Sequence, residues 1–335
     1  MQIKWRKERQ RGKQRGKSLS IVLTTLLTLS PSLPLNATPN PEHRAQVSVS
    51  ADYSTSELTG GGFRNNVDFD IKNGTIAITT QIDESVTLLW RAYGGSLEVE
   101  SSRIINQHID TDVFGGAFGV ERTLTDGVKL RALVSYAHNE SDLMRSTGSN
   151  MPNMQNTVTA DYDSNELGIA IGLLSEYEFE TWWARADVEL FWQKFNQGSF
   201  RETGPGAGVI QSQRRRPIHL AAGAAIGRQY HWSEHVKVRL SGGFKGLWQL
   251  DNDRLNGSLS RHTNTVGYGF VANPTSTALS DFPEGRSLSY HAQVGWHWRG
   301  GFALIFQAQS LLNTDLDNSV YTLTLSRAFR RNGPA

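Results

Sequence analysis

The chain has 335 residues, 34 of them basic and 32 acidic, and no cysteine, which excludes disulfides, thiolate catalysis and Cys-ligated metals. After residue 37 no window holds the 18 or so apolar residues of a spanning helix, so any membrane insertion must use a closed sheet. Eight basic residues precede Ser18, so the basic balance belongs to the N-terminus, the remainder is mildly acidic, and no nucleic-acid partner is expected.

Taken in chain order, the N-terminus reads as an export signal. Lys4, Arg6, Lys7, Arg9, Arg11, Lys13, Arg15 and Lys17 stand against one acid, Glu8. An uncharged run from Ser18 to Leu35 follows and ends near Leu35-Asn36-Ala37. That order, basic then apolar then small, predicts a cleaved signal peptide over 1–37, and Pro31 and Pro34 argue against a retained anchor. Residues 38–63, with Pro39, Pro41 and Gly60-Gly61-Gly62, show no helical period and read as a short N-terminal segment.

From residue 64 to 329 apolar alternation between turn signals predicts twelve strands. They fall near 64–72, 75–82, 85–99, 111–122, 128–140, 159–174, 181–196, 214–230, 235–250, 284–298, 301–311 and 318–329. Tight turns are expected at Asn73-Gly74, Asp126-Gly127, Glu176 to Glu180, His231 to Glu234 and Arg299-Gly300-Gly301. Long polar segments cover 141–158, 197–213 and 251–283, and a tail occupies 330–335. A further strand at Val47, Val49 and Ala51, or a hairpin over Val266 to Val271, makes fourteen strands the alternative.

The segment Thr181 to Asn196 shows what kind of sheet this is. One face reads Trp182, Ala184, Ala186, Val188, Leu190, Trp192; the other reads Trp183, Arg185, Asp187, Glu189, Phe191, Gln193. At roughly 3.3 Å per residue and a tilt of about 40°, Trp182 to Trp192 spans close to 25 Å, the hydrocarbon band of an outer membrane. Similar stripes run through Val236 to Trp248, Leu288 to Trp298 and Tyr321 to Phe329. A soluble sandwich also alternates, but Trp and Tyr at the ends of the apolar faces fit two membrane interfaces. The fold class expected is therefore all-β, a transmembrane antiparallel β-barrel with outer-membrane lipid as its surroundings.

Several runs resemble the autotransporter β-domain. They are Phe114-Gly115-Gly116-Ala117-Phe118-Gly119-Val120, the Leu124-Thr125-Asp126-Gly127 turn, Ala132 to Tyr136 with His138, Leu167-Gly168-Ile169-Ala170-Ile171-Gly172, and Trp182-Trp183 with Asp187. The similarity covers roughly 85–329 and implies an outer-membrane translocator barrel. It also implies that Tyr321 to Phe329 is an aromatic-ended terminal strand read by the barrel-insertion machinery. Two departures stand out: only residues 38–63 precede the first expected barrel strand, where the family carries a passenger and a pore-plugging helix, and six residues follow Phe329.

No catalytic, cofactor-binding or metal residue is assigned. His231-Trp232-Ser233-Glu234-His235 matches the H-x-x-E-H pattern of a zinc-peptidase group, but that chemistry needs a helix and these residues join two strands. His138, Asn139 and Ser141 suggest a rim hydrolase and Asp110/Asp112 or Asp161/Asp163 a rim protease, and solvated rim residues are the simpler reading for each. His291 and His297 share a face but sit about 20 Å apart. The inward face should carry Arg91, Lys129, Arg131, Arg185, Asp187, Glu189, Lys237, Arg239, Lys245, His291 and Gln307, hydrated or paired. The expected function is non-enzymatic, with exposed loops serving interaction or adhesion and no surface partner readable. A small-solute channel and a rim hydrolase are the alternatives.

Overall fold

The computed structural model describes residues 43–58, 66–102, 106–148, 155–205, 207–250, 259–260, 286–312 and 316–330. The expected signal peptide, the tail beyond Arg330 and most of 251–283 lie outside the described residues. Among the described residues there are sixteen strands and no helix. They are β1 (His43–Leu58), β2 (Asn66–Gln81), β3 (Val86–Ser102), β4 (Asn106–Thr125), β5 (Val128–Gly148), β6 (Gln155–Phe179), β7 (Trp182–Gln197), β8 (Phe200–Arg201), β9 (Val209–Ile210), β10 (Gln213–Arg215), β11 (Ile218–Ser233), β12 (Val236–Gln249), β13 (Leu259–Ser260), β14 (Arg286–Trp298), β15 (Phe302–Leu312) and β16 (Leu316–Arg330).

Twelve of these close into one antiparallel barrel. The order runs β7, β11, β12, β14, β15, β16, β1, β2, β3, β4, β5, β6, and β6 pairs back onto β7. Alternation drives the closure, because each strand has one face suited to lipid and the other to a polar interior. On β7, Trp182, Val188 and Leu190 are exposed on the outside, while Trp183, Arg185, Phe191 and Gln193 are buried inside. On β16, Tyr321, Leu323, Leu325 and Phe329 face out, and Thr322, Thr324 and Ser326 are buried.

Two expectations at the start of the barrel are corrected. Asn73-Gly74 is not a turn: β2 runs straight through it, with Asn73 opposite Gly95 and Gly74 opposite Gly94. An Asn-Gly pair turns a chain only when its flanks can pair with each other, and here β1 and β3 hold both edges of β2. The first barrel strand is also not 64–72. It is β1, which contains Val47, Val49 and Ala51, and its register against β16 closes the barrel with Tyr53 opposite Tyr321. One strand too many and one too few cancel, so the barrel does have twelve.

The four other expected turns fall at one end, two of them shorter than expected because β6 runs to Phe179 and β11 to Ser233, which leaves the turns at Glu180-Thr181 and Glu234-His235. Gly127 (φ 80°) and Gly301 (φ 81°) take the left-handed region that glycine adopts freely. Glu180 (φ 48°) takes the same region without being glycine. Asp83 organises the β2–β3 turn by accepting from the Ser85 and Val86 amides at 2.7 and 2.8 Å and from the Ser85 hydroxyl at 2.9 Å. These hydrogen bonds, the Ser85 amide first, hold its carboxyl below the ordinary range. His43 and Arg330 lie at this same end.

Strand length is uneven around the wall. β15 has 11 residues, β5 has 21 and β6 has 25. At about 3.4 Å per residue and about 40° of tilt, β15 climbs about 25 Å and β6 about 60 Å. The segments 141–148 and 155–158, expected within a polar loop, extend the β5–β6 pair instead, with Gly148 opposite Gln155. The wall from β3 to β6 therefore stands above the lipid band as an external sheet.

Placing Arg at Val188, in the middle of the outward apolar stripe of β7, should cost on the order of 2–4 kcal/mol of folding free energy in lipid. Asp187→Asn, on the other face, should cost markedly less. Refolding both variants into vesicles under a urea series measures the difference, and equal costs would contradict the facing.

Candidate functional site

The interior has two levels, a charged lumen within the lipid band and an apolar cap above it. In the lumen Glu121 accepts from Arg131 at 2.7 Å and lies 3.2 Å from the Lys129 ammonium. The Arg239 guanidinium reaches Gln229 at 2.9 Å and Glu178 at 3.2 Å. Lys245 on β12 approaches Asp187 at 3.5 Å and Glu189 at 3.8 Å, although β11 lies between their strands. Gly223 stands opposite both Asp187 and Lys245, and a side chain there would press on them; its absence lets the pair meet across a whole strand. Asp187 thus pairs with Lys245, while Lys237 is exposed at the turn end. Arg185 is 5 % exposed and lies 3.7 Å from Asp187. A cavity of about 170 Å³ opens among Arg91, Arg131, Arg185, Lys245 and His291.

Aromatic rings lie flat along the inner wall where glycine leaves room. The Tyr93 ring fills the space above Gly115, and its hydroxyl donates to the Tyr136 carbonyl at 3.4 Å. Trp183 occupies the corresponding space at Gly227. The Tyr93 contact accounts for Gly115 within the Phe114-Gly115-Gly116 run, because a Cβ there would displace the ring.

Above this level the inward face of the external sheet turns apolar. Leu97, Val99, Ile109, Val113, Leu143 and Ala160 form a buried cluster, and the connection after β7 folds over it. Ile210 of β9 joins the cluster, and Phe200 of β8 stacks on Tyr162 with ring centres 4.3 Å apart. A backbone bridge ties Thr203 to the β6 edge at Thr159. Beneath the connection Arg145 donates to both Glu202 carboxylate oxygens, at 2.6 and 2.5 Å, and the Gly208 amide adds a third bond at 2.9 Å. Both side chains are buried, so the pair gains from low dielectric and from full hydrogen bonding. Sequence reasoning missed Arg145 and Glu202, which lie 57 residues apart in segments it read as polar loops.

The outward face of the same sheet is acidic. Register places Glu98 opposite Asp110, Asp110 opposite Asp142, and Asp142 opposite Asp161; a second row holds Asp112, Glu140 and Asp163.

The residues weighed from the sequence are not drawn together into a catalytic site. His138 faces outward, bonded to Asn165 at 2.9 Å and 3.5 Å from Glu140, whereas Asn139 and Ser141 are buried on the inner face, Ser141 against Thr111. A histidine and a serine on opposite faces of one strand cannot share a proton. Asp110 and Asp112 are exposed on the outside, as are Asp161 and Asp163. His231 to Ser233 are the last residues of β11 and Glu234 and His235 make the following turn, with Trp232 77 % exposed, so the helical context of H-x-x-E-H is missing. His291 and His297 both face the lumen, six residues apart on β14.

This architecture coincides with a sequence match to the autotransporter β-domain model over residues 47–309. The chain belongs to the autotransporter β-domain family. It is thus an outer-membrane barrel, a class whose short turns face the periplasm, and here the short turns share one end with His43 and Arg330. No curated protein matches the chain at significant similarity. Among solved structures it is similar to the translocator domain of NalP from Neisseria meningitidis, with TM-score 0.64 and 15% identity over 92% of this chain and 95% of that one. It is also similar to the AIDA-I transport unit from Escherichia coli, with TM-score 0.56 and 11% identity over 92% and 97%. The Bordetella BrkA β domain gives TM-score 0.55 and 10% identity over 85% and 100%. At such identities these likenesses show the shared barrel and nothing of ligands.

Glu202→Ala should strip Arg145 of its buried counter-ion, at a cost of roughly 3–5 kcal/mol to the cap. Hydrogen exchange over residues 198–213 should accelerate while the barrel strands stay protected. Unchanged protection of that connection would mean the ion pair does not hold it.

Proposed function

We propose that this barrel is a non-catalytic outer-membrane protein of translocator type, placed by the barrel-insertion machinery, whose external sheet serves as a surface for interaction or adhesion. The observation that carries the reading is the two-faced build of β3 to β6 above the lipid band. Its inward side is a dry apolar cluster capped by the β8–β9 connection, and its outward side is a set of carboxylate rows. A stretch needed only to cross the membrane would end near the length of β15; these strands continue and build a core of their own. The separation of His138 from Ser141 also supports a non-enzymatic role.

The test compares attachment of cells displaying the wild type with attachment of cells displaying a variant in which Asp110, Asp142, Asp161 and Asp163 are Asn, at matched surface levels. Attachment should fall severalfold in the variant. Equal attachment by wild type, variant and cells lacking the protein would overturn the reading.

The charged cavity around Arg185 supports a second reading, a narrow channel. With the cap in place the wild type should pass little current in a planar bilayer, and Glu202→Ala should pass more. A large, steady wild-type conductance would favour the channel over the interaction surface.

A further inference from the structure

On the outward face of the external sheet, one histidine and two glutamates meet where two strands lie side by side. Leu97 and Val99 are buried on the inner side of β3, so Glu98 and Glu100 share its outer side. Ile109 is likewise buried on β4, which puts His108 and Asp110 outside. Register sets Glu100 opposite His108 and Glu98 opposite Asp110, and directly opposed side chains stand about 5 Å apart at Cβ. His108 Nδ1 is 3.9 Å from one carboxylate oxygen of each glutamate, and the three donor atoms lie within 4.8 Å of one another. His108 Nε2 lies 2.9 Å from Asp110 Oδ2.

We propose that Glu98, Glu100 and His108 bind a divalent transition metal of the Zn²⁺ class, with Asp110 as the positioning residue for the imidazole. A carboxylate can only accept, so the Nε2 contact places a proton on Nε2 and turns the Nδ1 lone pair toward the two glutamates. Histidine ligands of metals are oriented in this way, by a carboxylate on the far nitrogen. Bonds of about 2.0–2.2 Å to a tetrahedral ion put ligand atoms roughly 3.3–3.5 Å apart. The 3.9 Å separations from Nδ1 need to close by about half an ångström and the one between the two glutamates, which lies within 4.8 Å, by up to about 1.3 Å, movements that partly exposed side chains can make. Solvent completes the fourth position.

An imidazole with carboxylates selects Zn²⁺ over Ca²⁺ or Mg²⁺, which take oxygen ligands alone. The setting supplies a reason for a cation. Glu98, Asp110, Asp142 and Asp161 stand directly opposite one another across four strands, and like charges in that position weaken a sheet. One divalent ion offsets that repulsion and joins β3 to β4 above the lipid. The competing reading is a solvated His–Asp contact beside unrelated glutamates, which predicts no saturable metal binding.

The full barrel, refolded without metal, is titrated with Zn²⁺ and separately with Ca²⁺, with Co²⁺ absorption as a second probe of an imidazole ligand. Wild type should bind one Zn²⁺ tightly, and His108→Ala should abolish that site and the Co²⁺ spectrum. Asp110→Asn should weaken Zn²⁺ by about 10–100-fold while the site still saturates. Glu84→Gln, an exposed carboxylate in the β2–β3 turn at the opposite end of the barrel, should bind as wild type does. The proposal is overturned if His108→Ala binds like wild type, if Ca²⁺ binds more tightly than Zn²⁺, or if folded, heat-modifiable wild type shows no saturable site. Metal binding is read apart from cell attachment, so it stands or falls independently of the interaction surface.

Discussion

A sheet edge cannot be left open in hydrocarbon, because each unpaired amide or carbonyl there costs several kcal/mol. The rest of the molecule follows from that constraint. Twelve strands in chain order would leave two such edges, one on β1 and one on β16, and the pairing of β16 with β1 removes both. Closure fixes register all round, and register decides which side chains meet in the lumen.

The lumen is a consequence of closure more than a designed pocket. Alternation sends every second residue inward, so charged residues arrive from several strands and must neutralise one another or be hydrated. Glu121 does so with its neighbours on β5, and Asp187 does so with Lys245 two strands away because Gly223 between them has no side chain. Glycine elsewhere makes room for rings, as with Tyr93 over Gly115.

The external sheet obeys different rules because water replaces lipid outside it. Its outward residues change from Tyr136, Val134 and Ala132 to Glu140 and Asp142 along β5, while the inward residues of β3 change from Arg91 to Leu97 and Val99. Lipid on the outside with water inside thus gives way to water outside with a dry interior. The Arg145 to Glu202 pair pins the cap that completes that interior, and the carboxylate rows face the medium.

Much of this was legible in the residues themselves. Period-two alternation with aromatic ends determined the barrel, the outward stripe of β7 and the inward places of Arg185, Asp187 and Lys245, because facing depends only on parity along a strand. The twelve strands were legible only as a number: Asn73-Gly74 looked like a turn and β1 like a tail, since nothing local says whether neighbouring strands will hold a glycine extended. Pairing over long separations was beyond reach. That His108 meets Glu98 and Glu100, that Arg145 meets Glu202, and that His138 and Ser141 part to opposite faces depend on register and loop packing. The tertiary structure alone sets these, because the free energy that selects a register is summed over whole strands and not carried by any one residue.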